Sequence, residues 1–169
     1  MTEIRPLGSK VMKKKTFIIL TITHIVAVTF GFAAGIYALP ILIAPSAPSV
    51  VEVQAASAQP AYSAVFIRNL EGSDALHWGE GKVALSKGSI AFMGKLAPGP
   101  DYKLYLSPEF AETEAEFNRF KPSMVLIGEV KTFENFIVKV SPNIDLAAYN
   151  TVVVWCETFG EFITAAKYK

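Results

Sequence analysis

From Thr16 to Ala44 the chain carries no Asp, Glu, Lys or Arg. The apolar centre of this run, Phe17 to Leu39, is longer than the ~20 residues that cross a hydrocarbon layer ~30 Å thick. A segment in lipid must satisfy its own backbone hydrogen bonds, so the run is expected to be a helix. Pro40 has no N–H to donate, and the helix is expected to stop near it, with Pro45 and Pro48 preventing a restart. Residues 16–44 therefore read as a transmembrane helix of the signal-anchor type. Tyr37 falls at its outer end, where an amphipathic ring favours the interface.

The flanks give an orientation. Residues 1–15 carry Arg5, Lys10, Lys13, Lys14 and Lys15 against Glu3 alone, and the next positive residue is Arg68. The positive-inside rule puts this basic tail in the cytoplasm and the remainder outside, in a periplasm or the extracellular medium. A cleaved signal peptide would have an apolar region of about 7–15 residues, shorter than this one, so an uncleaved anchor is expected. His24 lies within the run, where a neutral imidazole can use a backbone carbonyl. Gly31 and Gly35 form a GxxxG, which permits a homodimer through close helix pairing. The formal net charge is +1. From Ala64 onward acidic residues outnumber basic ones, so the domain offers no basic face to nucleic acid.

Pro45 to Ala61 is rich in Pro, Ala and Ser, and residues 45–63 read as a semi-extended linker. Val50, Val51 and Val53 could add an edge strand. The domain proper is expected over 64–169. There, short strand-like runs alternate with turn residues: Ala64–Asn69, Lys82–Ser86, Ser89–Gly94, Tyr102–Ser107, Val125–Lys131, Asn135–Ser141, Thr151–Phe159 and Glu161–Ala166. This spacing, rich in Val, Ile, Tyr and Phe, predicts a mainly β antiparallel sandwich or barrel-like domain. Pro108 to Phe120 reads either as a short helix or as a long acidic loop. Alternation puts Cys156 on one face with Val152 and Val154, and Trp155 on the other with Val153 and Glu157. Both faces are largely apolar, so this strand is expected to be central and covered on both sides. Lys103 and Tyr105 point opposite Leu104 and Leu106, as in a strand with one wet face.

Chemistry-bearing residues are few. Cys156 is the single cysteine, so no internal disulfide forms. It is the side chain best suited to redox or nucleophilic work, yet a free cysteine on an apolar strand is commonly a small core hydrophobe, and burial makes it inert. His77, in His77-Trp78-Gly79-Glu80-Gly81, is the domain's single histidine. No zinc motif is present, no C-x-x-C-H attaches haem, and Gly79-x-Gly81 lacks the strand–turn–helix context of a phosphate loop. A non-covalent haem would have to draw on Cys156, His77, Met93 or Met124. Asp101, after Gly99-Pro100, suits a turn closed by its own side chain.

Four segments, in order, carry a resemblance: His77 to Leu85, Gly99-Pro100-Asp101 with Leu104-Tyr105-Leu106-Ser107, Leu126 to Lys131, and Val154-Trp155-Cys156 with Phe159 and Phe162. Together they resemble the DM-thirteen domain, a small β-rich extracytoplasmic module, over roughly Ala64 to Tyr168. The resemblance implies association with DOMON domains and membrane b-type cytochromes. It also implies a redox or electron-transfer role for the cysteine, as a free thiol or as a ligand to a prosthetic group. That role carries onto Cys156, with His77 as a lesser companion. This chain brings no cytochrome, so an electron partner would be a separate membrane redox protein. The expected function is that of a membrane-anchored redox module rather than a stand-alone enzyme. The alternative is a non-enzymatic binding or structural module in which Cys156 only packs.

Overall fold

The computed structural model describes residues 13–169. The basic tail expected over 1–15 thus falls largely outside the described residues. The chain divides into two compact units, one ending at Ile36 and one spanning Tyr37–Lys169.

Helix α1 (Lys14–Ile43) supplies the first unit and runs on into the second. It is long and apolar enough to cross a membrane, and none of its residues is buried. It passes through Pro40 and ends at Ile43. Proline removes one intrahelical bond, and Ile41–Ile43 complete a further turn before Pro45 ends the helix. The His24 Nδ1 donates to the Leu20 carbonyl at 2.7 Å, one turn back. A Cβ on Gly31 or Gly35 would meet nothing within 4 Å.

In the second unit the segment expected to be an extended linker contains a helix, α2 (Val50–Ala56). Ser49 caps it, accepting from the Glu52 N–H, while the Glu52 carboxylate accepts from the Ser49 N–H at 2.7 Å. This reciprocal capping box satisfies two otherwise orphaned donors. Val53 is the buried residue of α2, and the Asn135 side chain donates to the Pro48 carbonyl at 3.3 Å. One buried valine in two turns leaves no periodicity to read, which is why the helix escapes sequence pattern.

Eight strands follow, at the eight positions expected, with ends shifted by a few residues: β1 Tyr62–Phe66, β2 Gly79–Ser86, β3 Ser89–Leu96, β4 Tyr102–Ser107, β5 Val125–Val130, β6 Phe136–Lys139, β7 Thr151–Cys156 and β8 Glu161–Lys167. They form two four-stranded sheets, ordered β1-β2-β3-β6 and β5-β4-β7-β8, with every pairing antiparallel. The inward faces of both sheets share one buried cluster. Phe66, Leu85, Ile90 and Phe92 from the first meet Leu104, Leu106, Val152, Val154 and Ile163 from the second. Such a contact takes apolar surface out of water, which is worth about 25 cal/mol per Å² and is the main source of stability.

A second cluster lies apart from the first. It consists of Tyr105, Phe117, Val153, Trp155, Phe162 and Ala165. The acidic segment resolves into a loop and helix α3 (Glu114–Phe120), whose Thr113 cap accepts from the Glu116 N–H. Phe117 is the buried residue of α3, and its ring lies 3.9 Å from Trp155 and nearly parallel to it, at 7°. This corrects the wet face expected for β4. Tyr105 is buried there, edge-on to Phe117 at 5.3 Å. Strand β7 is buried at all six positions, with Val152, Val154 and Cys156 in the first cluster and Val153 and Trp155 in the second. The doubly covered central strand read from its composition is therefore present.

Candidate functional site

Cys156 ends β7, which lies between β4 and β8. Its register partners are Tyr102 on β4 and Glu161 on β8. Beyond it the strand closes into a turn, with the Gly160 N–H donating to the Cys156 carbonyl at 3.0 Å. Gly160 has φ +70, a backbone region that glycine enters without steric cost. On the β4 side the chain arrives through Gly99-Pro100-Asp101. Asp101 holds φ +52, the one non-glycine residue with positive φ among the described residues. Its carbonyl accepts from the Glu157 N–H at 3.1 Å, which fastens this turn to the end of β7.

The turn covers the thiol. Cys156 is 2% exposed, and its Sγ donates to the Pro100 carbonyl at 3.1 Å. Burial pushes the thiol pKa up, and the Asp101 and Glu161 carboxylates add to the effect. Backbone N–H groups of Phe159 and Thr158 work the other way, but do not reverse it. Desolvation penalises the thiolate more than these donors stabilise it, so the sulfur rests protonated. Gly99, Pro100, Asp101 and Tyr102 also line a cavity of about 400 Å³, together with Phe133, Ala44 and Pro45.

A chain of charges braces the turn from outside. Lys103 Nζ bonds Asp101 Oδ1 at 2.7 Å and Glu129 Oε1 at 3.0 Å, and Lys131 Nζ bonds Glu129 Oε2 at 2.8 Å. Hydrogen bonds from Lys131 and Lys103 hold the Glu129 carboxyl down at about 2, against an ordinary 4.5. A carboxyl lowered on folding stabilises the native state above its unfolded pKa and loses that effect as pH falls through the folded value. Domain stability should therefore decline as pH drops from 4.5 toward 2. Glu129→Gln should flatten that decline, as read from urea-unfolding midpoints across the pH series.

His77 stands in the loop before β2, with Asp74 as its partner. Its ring Nδ1 lies 3.0 Å from Asp74 Oδ2, and its N–H donates to Asp74 Oδ1 at 2.7 Å. The neighbouring Trp78 is covered by the Arg68 guanidinium at 3.7 Å, and its carbonyl accepts from Ala97 at 2.9 Å. The His77 segment thus anchors a loop. The charged groups that act on Cys156 are Asp101 and Glu161.

The residues named for a haem do not converge. Cys156 belongs to the cluster between the sheets, whereas Met124 packs against the second cluster. Met93 lines a separate cavity with Val65, Lys82 and Gln54, and His77 is engaged by Asp74. Each of the four sits in its own surroundings, which gives no sign of an axial ligand pair. Among the described residues no group of three or more His, Cys, Asp or Glu could hold a metal ion.

A second constellation was not singled out from sequence. The Tyr105 hydroxyl donates to Glu157 Oε1, and Lys121 Nζ donates to both Glu157 oxygens, at 3.0 and 2.9 Å. The Lys121 ammonium stands 5.5–5.9 Å from the ring centroids of Phe117, Tyr105 and Trp155. Burial works to raise Glu157, but the bonds from Tyr105 and Lys121 outweigh it and hold the carboxyl below its usual range. Burial, then the bond to Glu157, pushes the Tyr105 phenol well above its ordinary value. The signal available in sequence was the shared face of Trp155 and Glu157. The partners Tyr105 and Lys121 come from distant segments that only the β4–β7 register and α3 bring near.

No curated protein and no solved structure matches the chain. The family model described as Electron transfer DM13 matches residues 70–168, which is more than half of the chain and includes β2 to β8. The chain belongs to the DM13 electron-transfer family.

Proposed function

We propose that this chain is a membrane-tethered redox module, with α1 as a single-pass anchor, its amino terminus in the cytoplasm and the β-sandwich outside. Lys13, Lys14 and Lys15 stand at the amino-terminal end of α1 and no further positive residue occurs before Arg68, which favours this orientation. The redox centre is Cys156. The observation that carries this is the seat of the thiol, at the end of a central strand and bonded to the Gly99–Asp101 turn, whose residues also line a cavity.

The chemistry is thiol–disulfide exchange with a disulfide of a separate partner. When the turn opens, the Cys156 proton passes to solvent. The thiolate then attacks one sulfur of the partner disulfide, the disulfide bond breaks, and the other sulfur leaves as a thiolate. This chain has a single cysteine, so a dithiol of a second partner resolves the mixed disulfide. One of its thiolates attacks the Cys156 sulfur and releases the first partner as a dithiol, and its other thiolate then frees Cys156 as a thiol. Two electrons thus pass from the second partner's dithiol to the first partner's disulfide. The raised thiol pKa keeps the centre quiet until a partner engages the turn. The burial of Cys156 favours the second reading, in which the residue only fills the core and the domain binds or scaffolds.

The two readings part in one experiment. The full-length chain in detergent is incubated with a small disulfide, and the mixed disulfide is followed by mass. Under the redox reading one adduct per chain forms on the folded protein, and Cys156→Ala forms none. Under the packing reading the adduct forms only once the domain unfolds.

A further inference from the structure

Among the described residues, three tyrosine hydroxyls have a protein acceptor. Tyr102 donates to the Ala97 carbonyl and Tyr168 to the Leu146 carbonyl, both at 2.9 Å, whereas Tyr105 donates to the Glu157 carboxylate. The distinction is chemical. A phenol that loses an electron becomes a very strong acid and must shed its proton at once. An amide carbonyl is a negligible base, so electron loss at Tyr102 or Tyr168 strands the proton in the core. A carboxylate accepts it, even one held low by an ammonium. Glu157 is fixed for this by its two contacts with Lys121. The same ammonium lies close enough to the aromatic faces to disfavour a positive ring, so the electron and proton leave together.

We propose that Tyr105 is a one-electron redox site, with Glu157 as its proton acceptor. A high-potential one-electron oxidant takes one electron from Tyr105, the phenolic proton moves to the Glu157 carboxylate, and a neutral tyrosyl radical remains beside a protonated Glu157. Reduction by one electron reverses both transfers. Phe117 touches Tyr105 edge-on at 5.3 Å and Trp155 face-on at 3.9 Å. A hole created at Trp155 therefore has a short aromatic bridge to Tyr105, where loss of the proton traps it. Lys121 is a positioning residue, acting through Glu157. This site lies in the second buried cluster, apart from Cys156 in the first, and the inference stands independently of the thiol reading.

Flash-quench oxidation of the full-length chain by photogenerated tris(bipyridine)ruthenium(III), with electron paramagnetic resonance after freezing, tests it. The wild type should give a neutral tyrosyl signal. Tyr105→Phe, which removes only the hydroxyl, should lose most of that signal, and Tyr102→Phe should retain it. Glu157→Gln should cut the yield and slow radical formation, because an amide does not take the proton. Cys156→Ala should leave the signal unchanged, which keeps this result separate from the thiol experiment. A tyrosyl signal that persists in Tyr105→Phe would overturn the proposal, as would an unchanged yield and rate in Glu157→Gln. Circular dichroism of each variant confirms that the fold compared is the same.

Discussion

Replacing Trp155 by alanine should lower the unfolding free energy by about 3–5 kcal/mol, the usual cost of emptying a large aromatic site. Trp155 is 2% exposed and belongs to the second cluster, which covers the face of β7 opposite Cys156. Its ring stacks on Phe117, the buried residue of α3. Removing it deletes the transferred apolar area and leaves a cavity beneath a helix with a single anchor. The loss is large against the ~5–15 kcal/mol that holds a domain of this size. Trp155→Phe retains a ring for Phe117 to stack on and should cost markedly less. Urea unfolding gives the difference, and near-ultraviolet circular dichroism should report the loss of the stacked pair in the alanine variant. A change within experimental error for Trp155→Ala would show that α3 contributes nothing to the cooperative unit.

Gly94→Ala should be comparably damaging for a different reason. Gly94 faces Gly81 across the β2–β3 ladder. A Cβ there would overlap the Glu80 carbonyl oxygen and come within 2.7 Å of the Gly81 Cα and of the Phe92 ring. Two of these neighbours are backbone of the paired strand, so the ladder must part to make room. Phe92 is fully buried and stacks on Phe136 at 4.8 Å, so the third neighbour cannot retreat cheaply either. The expected loss is about 3 kcal/mol or more, at the upper end of the cost of overpacking. Gly88→Ala is the matched control. It lies in the hairpin of the same two strands, and a Cβ there meets nothing within 4 Å. That substitution should stay within about 0.5 kcal/mol. Equal losses at the two positions would contradict the close approach of β2 and β3.

The eight strands were legible because each is short, rich in β-branched or aromatic residues and bounded by breakers such as Lys87-Gly88 and Pro98-Gly99-Pro100. Alternation along Val152 to Cys156 also gave the correct faces, since period two is fixed by strand geometry. What escaped was set by tertiary contact. Helix α2 has one buried residue, Val53, and no apolar stripe. The face of Lys103 and Tyr105 reads as wet because α3, which covers Tyr105 with Phe117, joins from a separate segment. The exact helix end beyond Pro40 is also tertiary detail, because a helix survives the loss of one bond if its next turn still forms. The cover over Cys156 was equally hidden. Its acceptor, the Pro100 carbonyl, is 56 residues away in the chain, and no local pattern foretells which turn will close over a strand end. The sequence named the thiol, but its protonated, covered state comes from the pairing of β4 with β7.

That covered state makes accessibility in the folded chain the decisive quantity. The full-length protein in detergent is exposed to a small disulfide at a series of pH values from 7 to 9, below any denaturant transition, and the rate of mixed-disulfide formation is compared with that of the unfolded chain. The redox account predicts one adduct per native chain, formed more slowly than on the unfolded chain. Its rate should climb about tenfold per pH unit, because the thiolate is the reacting form and the thiol pKa lies high. An adduct that appears only in step with global unfolding, at every pH, would contradict the redox account and leave Cys156 as a core residue.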